Sequence, residues 1–431
     1  MALAAGRATA QTIRVVSDVL VDATPNRSIQ EPFIAVDPRN PSHLLAAVMV
    51  VPPAGATIKG QRCAVFFSLD GGAHWRRHDF PIVECYDPWL AFLPDGSALF
   101  SALGVDPILA GQDDGLLVYR SHDGGGTWVP RPAALSWGWD HPMLAVDTSS
   151  SKRRGWVYLV SSRDQHQGSG WFVAVARSVD GGATFDAPRA IAPDHQMIKA
   201  ESPAVLSDGT LVVPYVEIAE SGILLPRRRA WLVRSTNGID FSPPTPIGDA
   251  CGPPPTFVMS SLAAGPFAGN GGGTPSHDAL FFSCTLSGFR GVVITHSADG
   301  GKTWTPSVSL PSIAMTGKSN RLLMATAATS AGVVGVVWLQ HRDASPAGCR
   351  DVYLTASFDH GATFTTPVRV SQASSCPNAK LNGPHGSYGD YFGLAADSRG
   401  RFRVAWADAR TGLFQLRTAL IDVEGVAPPR R

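Results

Sequence analysis

Charge is scarce in this 431-residue chain. Asp, Glu, Lys and Arg make up 16% of it, and 36 basic against 35 acidic residues leave a net charge of +1. Proteins that grip nucleic acid or an anionic bilayer carry a basic excess, so neither partner is expected. No run of about 18 apolar residues occurs, so no transmembrane helix and no membrane insertion are expected. The six cysteines never form the tight C-x-x-C pairs of a structural zinc site. The N-terminus, MALAAGRATAQ, carries the A-x-A signal of a leader-cleavage site at Ala8-Thr9-Ala10. It lacks the charged start and long apolar stretch of a whole leader. Residues 1–11 are therefore read as a leader remnant or a tail, and the chain as exported, either secreted or periplasmic.

Apolar residues make up 44% of the chain, with 44 glycines and 34 prolines. That composition builds a folded core with many turns. One eight-residue pattern recurs six times: SLDGGAHW (68–75), SHDGGGTW (121–128), SVDGGATF (178–185), STNGIDF (235–241), SADGGKTW (297–304) and SFDHGATF (357–364). The starts lie 53, 57, 57, 62 and 60 residues apart. The fourth copy is degraded, with Asn237 in place of the aspartate and one residue lost. Each copy follows an alternating apolar run such as GVVITHS (291–297) and precedes a polar, proline-containing strand. The D-G-G core reads as a hairpin turn, since aspartate accepts local N–H bonds and glycine supplies positive φ. Repeats of this period with short strands mean a radial array of sheets.

The repeated turn resembles the Asp-box, S-x-D-x-G-x-T-W, of sialidase-like β-propellers. The resemblance implies an all-β propeller of four-stranded blades, with each box joining the two outer strands on the face away from the active site. Asp299 in SADGGKTW is then scaffold. Six boxes give six blades. Three further strands, YFGLAAD (391–397), FRVAWAD (402–408) and FQLRTALID (414–422), make a seventh, which IRVVSDVLV (13–21) closes as its outer strand. The expectation is one propeller domain over 12–425 with a short tail at 426–431. Six blades with a C-terminal extension is the alternative.

In such propellers the innermost strand of each blade starts on the functional face. An acid stands there in five blades: Glu31 in QEPFIAVD, Asp87 in YDPWLAF, Asp140 in WDHPMLAVD, Glu201 in AESPAVL and Asp390 in GDYFGLAAD. Each could cap its own strand, accepting backbone N–H bonds. Alternatively the carboxylates converge, and then they need protons, cations or a substrate to be tolerated. The ends of the second strands add Arg163, Glu217, Arg342, Asp408 and Arg410 to the same mouth. The blade arrangement also pairs the cysteines as neighbours: Cys63–Cys85, Cys251–Cys284 and Cys349–Cys376. Disulfides imply an oxidising compartment.

The sialidase resemblance implies further roles. ESPAVLSDGTL (201–211) is similar to the stretch that carries the activating glutamate, which assigns that role to Glu201. Tyr391 is the candidate nucleophile and Asp87 a candidate acid. Arg290 fits the third substrate-binding arginine. The other two arginine positions hold Glu31 and Glu217, so the usual anchor for a sialic acid carboxylate is absent. The resulting expectation is a secreted glycoside hydrolase acting on a neutral or cationic glycan, with Glu201 working beside Asp140 or Asp87. The alternative is a non-catalytic propeller that binds glycan, protein or a divalent cation such as Ca2+ through a ring of carboxylates. No cofactor is otherwise required, and oligomeric state is not legible in the sequence.

Overall fold

The computed structural model describes residues 11–22, 27–52, 60–105, 115–135, 139–164, 171–192, 197–217, 229–248, 259–267, 277–285, 291–311, 323–341, 348–382 and 387–424. Its strands form seven antiparallel sheets, one per blade. The innermost strands are Ser28–Asp37, Val83–Phe92, Trp139–Val146, the pair Ile198–Ala200 and Ala204–Val205, Ser261–Phe267, Met324–Ala328 and Gly393–Ala396. The fold is a seven-bladed β-propeller, and the six-bladed alternative falls. The seventh blade is completed by Thr12–Leu20, which pairs antiparallel with Gln415–Glu424 as the outer strand. A sheet that would otherwise end on a bare edge is thereby shared between the two ends of the chain.

The repeated turns sit between the third and fourth strands. In SADGGKTW, Ser297 Oγ donates to Asp299 Oδ1 at 2.7 Å. The same carboxylate accepts the N–H groups of Lys302 and Thr303 and, at 2.6 Å, the Thr303 hydroxyl. Against the upward push of burial, these bonds hold the Asp299 carboxyl at about 2. The pattern repeats at Asp70, Asp123, Asp180 and Asp359. In the degraded copy Asn237 offers one oxygen, and its amide donates to Asp240 instead.

Four of the turns also latch the blade before them. Arg403 of blade 7 donates to Gly71 O, Arg120 of blade 2 to Asp180 O, and Arg177 of blade 3 to Asn237 O. A ring nitrogen of His43 in blade 1 lies 2.7 Å from Gly124 O. Between the latches the cores are apolar, with Phe100, Tyr158, Tyr215, Phe281 and Trp406 fully buried.

Two predicted disulfides are present, Cys63–Cys85 and Cys349–Cys376. Cys284 is also disulfide-bonded, and its predicted partner, Cys251, lies outside the described residues. Among the described residues no helix is long and apolar enough to cross a membrane.

Candidate functional site

The innermost strands of blades 1, 2 and 3 share an irregularity. In each, the pairing register shifts where a residue precedes proline: Glu31-Pro32, Asp87-Pro88 and His141-Pro142. All three residues adopt left-handed backbone, with φ of 53°, 52° and 53°. Proline disfavours helical backbone in the residue before it, and a non-glycine residue at positive φ costs about 1–3 kcal/mol. The bulge turns each side chain out of the sheet's alternation. Gly389 makes one of these turns possible, because a Cβ there would lie 2.5 Å from Glu31 Cγ.

The strained side chains come together. Glu31 is 6% exposed, Asp87 8% and His141 2%. Burial first, then Asp87 and Asp390, push the Glu31 carboxyl well above its ordinary value. Burial also raises Asp87, only partly offset by His141 and by the His141 backbone N–H, which donates to Asp87 Oδ2 at 3.1 Å. Asp140 behaves in the opposite way: against burial, His141 and then Lys199 hold it well below its ordinary value. His141 Nδ1 lies 2.8 Å from Asp140 Oδ2, and Nε2 lies 3.8 Å from Asp87 Oδ1. Neither ring nitrogen is aligned for a hydrogen bond, and both approaches fall within ion-pair distance. Lys199, 2% exposed, places its ammonium 3.5 Å from the same Asp140 oxygen. Although burial opposes it, Asp140 draws the His141 imidazole above its usual value.

An aromatic wall lies beside these groups. Phe33 stacks on Trp89 at 3.9 Å, and Tyr391 lies 5.6 Å from Trp89 and 5.9 Å from His141. The Tyr391 hydroxyl donates to Pro88 O at 3.0 Å. Burial and the nearby carboxyls, Glu31 foremost, hold its proton firmly. Past the wall is a cavity of about 280 Å³ touched by all seven blades, with Trp89, Leu144, Pro203, Met259, Met324 and Phe392 among its lining.

Of the residues expected at the site, Glu31, Asp87, Asp140, Asp390 and Tyr391 are brought together. Glu201 is 1% exposed, and its Oε2 accepts the Ser260 N–H at 2.6 Å across the seam between blades 4 and 5. It is not among the groups that act most strongly on Glu31, Asp87 or Tyr391. The simple capping expectation needs correction, since Asp87 and Glu201 accept N–H groups of the following blade. Arg410 also needs correction. Its guanidinium bonds Asp408 and Asp18 in the seam that closes the ring. Glu217 accepts from Trp231 Nε1, and Arg163 lies over the Phe172 ring. Arg290 and Arg342 lie outside the described residues.

His141 and Lys199 were not anticipated. Aligning the strand starts on the acid puts Asp140 beside Glu31 and Asp87, whereas aligning them on the proline puts His141 there. No comparable signal marks Lys199 in the run MIKAESP.

One atom from each of Asp87, Asp140 and His141 lies within 4.8 Å of the others, close enough to hold a small cation. Calcium prefers about six to eight oxygen ligands. This trio supplies a nitrogen, and the Lys199 ammonium already faces Asp140, so the set fits calcium poorly. The imidazole and the ammonium act as the counter-charges of the carboxylates.

No protein-family model and no curated protein matches the chain. Among solved structures it is similar to a protein of unknown function from Dyadobacter fermentans. The identity is 14% and the TM-score 0.51, over 96% of this chain and 99% of that one. It is also similar to the GH93 α-L-arabinofuranosidase of Fusarium graminearum, seen in complex with arabinobiose. There the identity is 12% and the TM-score 0.53, over 94% and 97% of the two chains. A looser likeness, at a TM-score of 0.47 and 13% identity, joins 81% of this chain to 56% of the Trypanosoma rangeli sialidase chain. At such identities the likenesses concern the fold alone.

Proposed function

We propose that the chain is a secreted glycoside hydrolase whose chemistry takes place where blades 1 to 3 meet. The observation that carries this reading is the meeting of carboxyls from blades 1 to 3 with His141 and Lys199, which sets neighbouring carboxyls in opposed surroundings. Burial and neighbouring carboxyls raise Glu31, and burial raises Asp87, while His141 and Lys199, 2.8 and 3.5 Å from it, hold Asp140 low. Carboxyls whose surroundings push their protonation apart are what acid and base assignments require. Glu31 is the acid that protonates the departing glycosidic oxygen. Asp140 is the base that takes a proton from the attacking water. Its Oδ2 is buried against His141 and Lys199, yet the side chain as a whole is 20% exposed.

Tyr391 is not well placed as a nucleophile, because its hydroxyl is committed to Pro88 O and a phenolate would form amid carboxylates. Glu201 supports the site through the bond to Ser260. The structural neighbour bound to arabinobiose makes α-L-arabinofuranosides the first substrates to try. The disulfides fit an exported protein.

The test is a panel of 4-nitrophenyl glycosides and polymeric glycans, with wild type and Glu31→Gln compared. Turnover of at least one glycoside is expected, falling about 10²–10⁴-fold in the variant. A 2-linked sialoside should give no release above background. Glycan binding without turnover, or turnover indifferent to Glu31→Gln, would overturn the reading.

A further inference from the structure

The arginine latches around the ring have a gap. Arg120 and Arg177 each stand immediately before the serine of a repeated turn, and each reaches a carbonyl of the next blade's turn. They also roof its first glycine. A Cβ at Gly181 would lie 3.4 Å from Arg120 Nη1, and one at Gly238 would lie 3.3 Å from Arg177 Cδ. Arg234 holds the same position in blade 4, and the matching carbonyl is that of Asp299. The bond is not made. Among the described residues the Arg234 guanidinium has no hydrogen-bond or ion-pair partner. A Cβ at Gly300 would meet only Leu206 Cδ1, at 3.7 Å.

In place of the latch is a cavity of about 490 Å³ between blades 4 and 5, inside the roughly 300–1,000 Å³ range of small-molecule sites. It lies at the end of the sheets that carries the repeated turns, opposite the strand starts where the carboxyls meet. Two cations line it, Arg234 and Lys302. The Lys302 ammonium, too, has no partner among the described residues. Beyond the turn's own Asp299, the carboxylates of Asp208, Asp240 and Asp278 line it as well. Each has one oxygen engaged, by the Thr210 N–H, the Asn237 side-chain amide and the Ser207 N–H respectively. Leu206 is the one apolar side chain among the described residues of the lining.

This mixture of charges selects among ligands. An anion would meet four carboxylates against two cations. A metal ion needs ligand atoms at coordination spacing, and among the described residues only Asp87, Asp140 and His141 form such a trio. An apolar ligand would bury charges without partners. A sugar hydroxyl both donates and accepts, so adjacent hydroxyls satisfy a guanidinium and a carboxylate together. We propose that the cavity is a second glycan-binding site, on the face opposite the carboxyl cluster, and that it takes a neutral sugar. Arg234 donates to the hydroxyl oxygens, and Asp240 and Asp278 accept the hydroxyl protons. The site holds a glycan away from the chemistry, and it stands whether or not the carboxyl cluster is catalytic.

Calorimetric titration of the full chain with the methyl glycosides of arabinose, galactose, glucose and mannose tests the site. At least one should bind with a Kd of about 1 mM, in wild type and in Glu31→Gln alike. Arg234→Met keeps the length of the side chain without its donors and should weaken binding at least about tenfold. Thr236→Trp, which fills the cavity from its lining, should abolish it. Neither side chain has a bonding partner among the described residues, so wild-type urea midpoints are expected of both variants. No sugar bound with a Kd under about 10 mM, binding unchanged by either substitution, or binding abolished by Glu31→Gln would overturn the site. Inorganic sulfate bound more tightly than any sugar, and lost with Arg234→Met, would overturn the neutral-sugar assignment. Glycoside turnover without this binding would leave the hydrolase and remove the second site. Binding without turnover would do the reverse.

Discussion

Glu31, Asp87 and His141 carry backbone strain that a plain strand would shed, and they carry it at equivalent positions in three neighbouring blades. Strain kept at such a cost marks a place where side-chain direction matters more than stability. The sequence displayed two of the three as acid-proline pairs. The third was hidden because the acid before it, Asp140, drew the alignment one residue off. The place of Lys199 and the raised carboxyls of Glu31 and Asp87 depend on groups from different blades meeting, which local spacing does not encode. The protonation of Glu31 has a stability consequence. Its folded value lies above its ordinary 4.5, as does that of His141 above 6.5. The stability each contributes is complete below its ordinary value and is lost as pH rises through the folded one. Thermal melts from pH 5 to 9 should therefore show wild type weakening toward alkaline pH. Glu31→Gln, which keeps the shape without the charge, should weaken less.

The repeated turn was the most legible element, because a single turn of chain supplies all its partners. Serine, aspartate and threonine satisfy one another within about four residues, whatever the blade does. Its sequence did not reveal the second duty, the latch by which Arg403, Arg120 and Arg177 reach the next blade's turn. Asp299→Ala strands several donors at one turn and should cost about 1 kcal/mol, read from the urea midpoint, with glycoside turnover unchanged. The turn aspartates also set an acid limit. Their stability is present above their ordinary 3.8 and is lost as pH falls through the folded values, about 2 for Asp123 and Asp299.

At the scale of the whole molecule, seven blades could be counted from six turns plus three unmarked strands, and closure by the first strand followed from having an odd strand to place. The chemistry of the closure was not legible. Asp18 on that strand, its side chain fully buried, accepts from Arg417, Arg410 and the Gln372 N–H. Against burial these bonds hold it below its usual value. Arg410 looked like part of the functional mouth because its neighbours in sequence end a second strand. Its partner Asp18 stands 392 residues away. Asp18→Ala leaves two guanidinium groups facing each other and should cost at least about 2 kcal/mol, seen as a lower urea midpoint and faster proteolysis of the first strand.

The central claim is that the middle of this ring keeps one carboxyl protonated beside an ionised one. Infrared difference spectra of wild type against Glu31→Gln, recorded from pH 5 to 8, address it without any substrate. A carboxylic acid C=O band that persists at pH 7 and is removed by Glu31→Gln is the result expected. A spectrum with only carboxylate bands at pH 6 and above would contradict it, and with it the assignment of Glu31 as the acid.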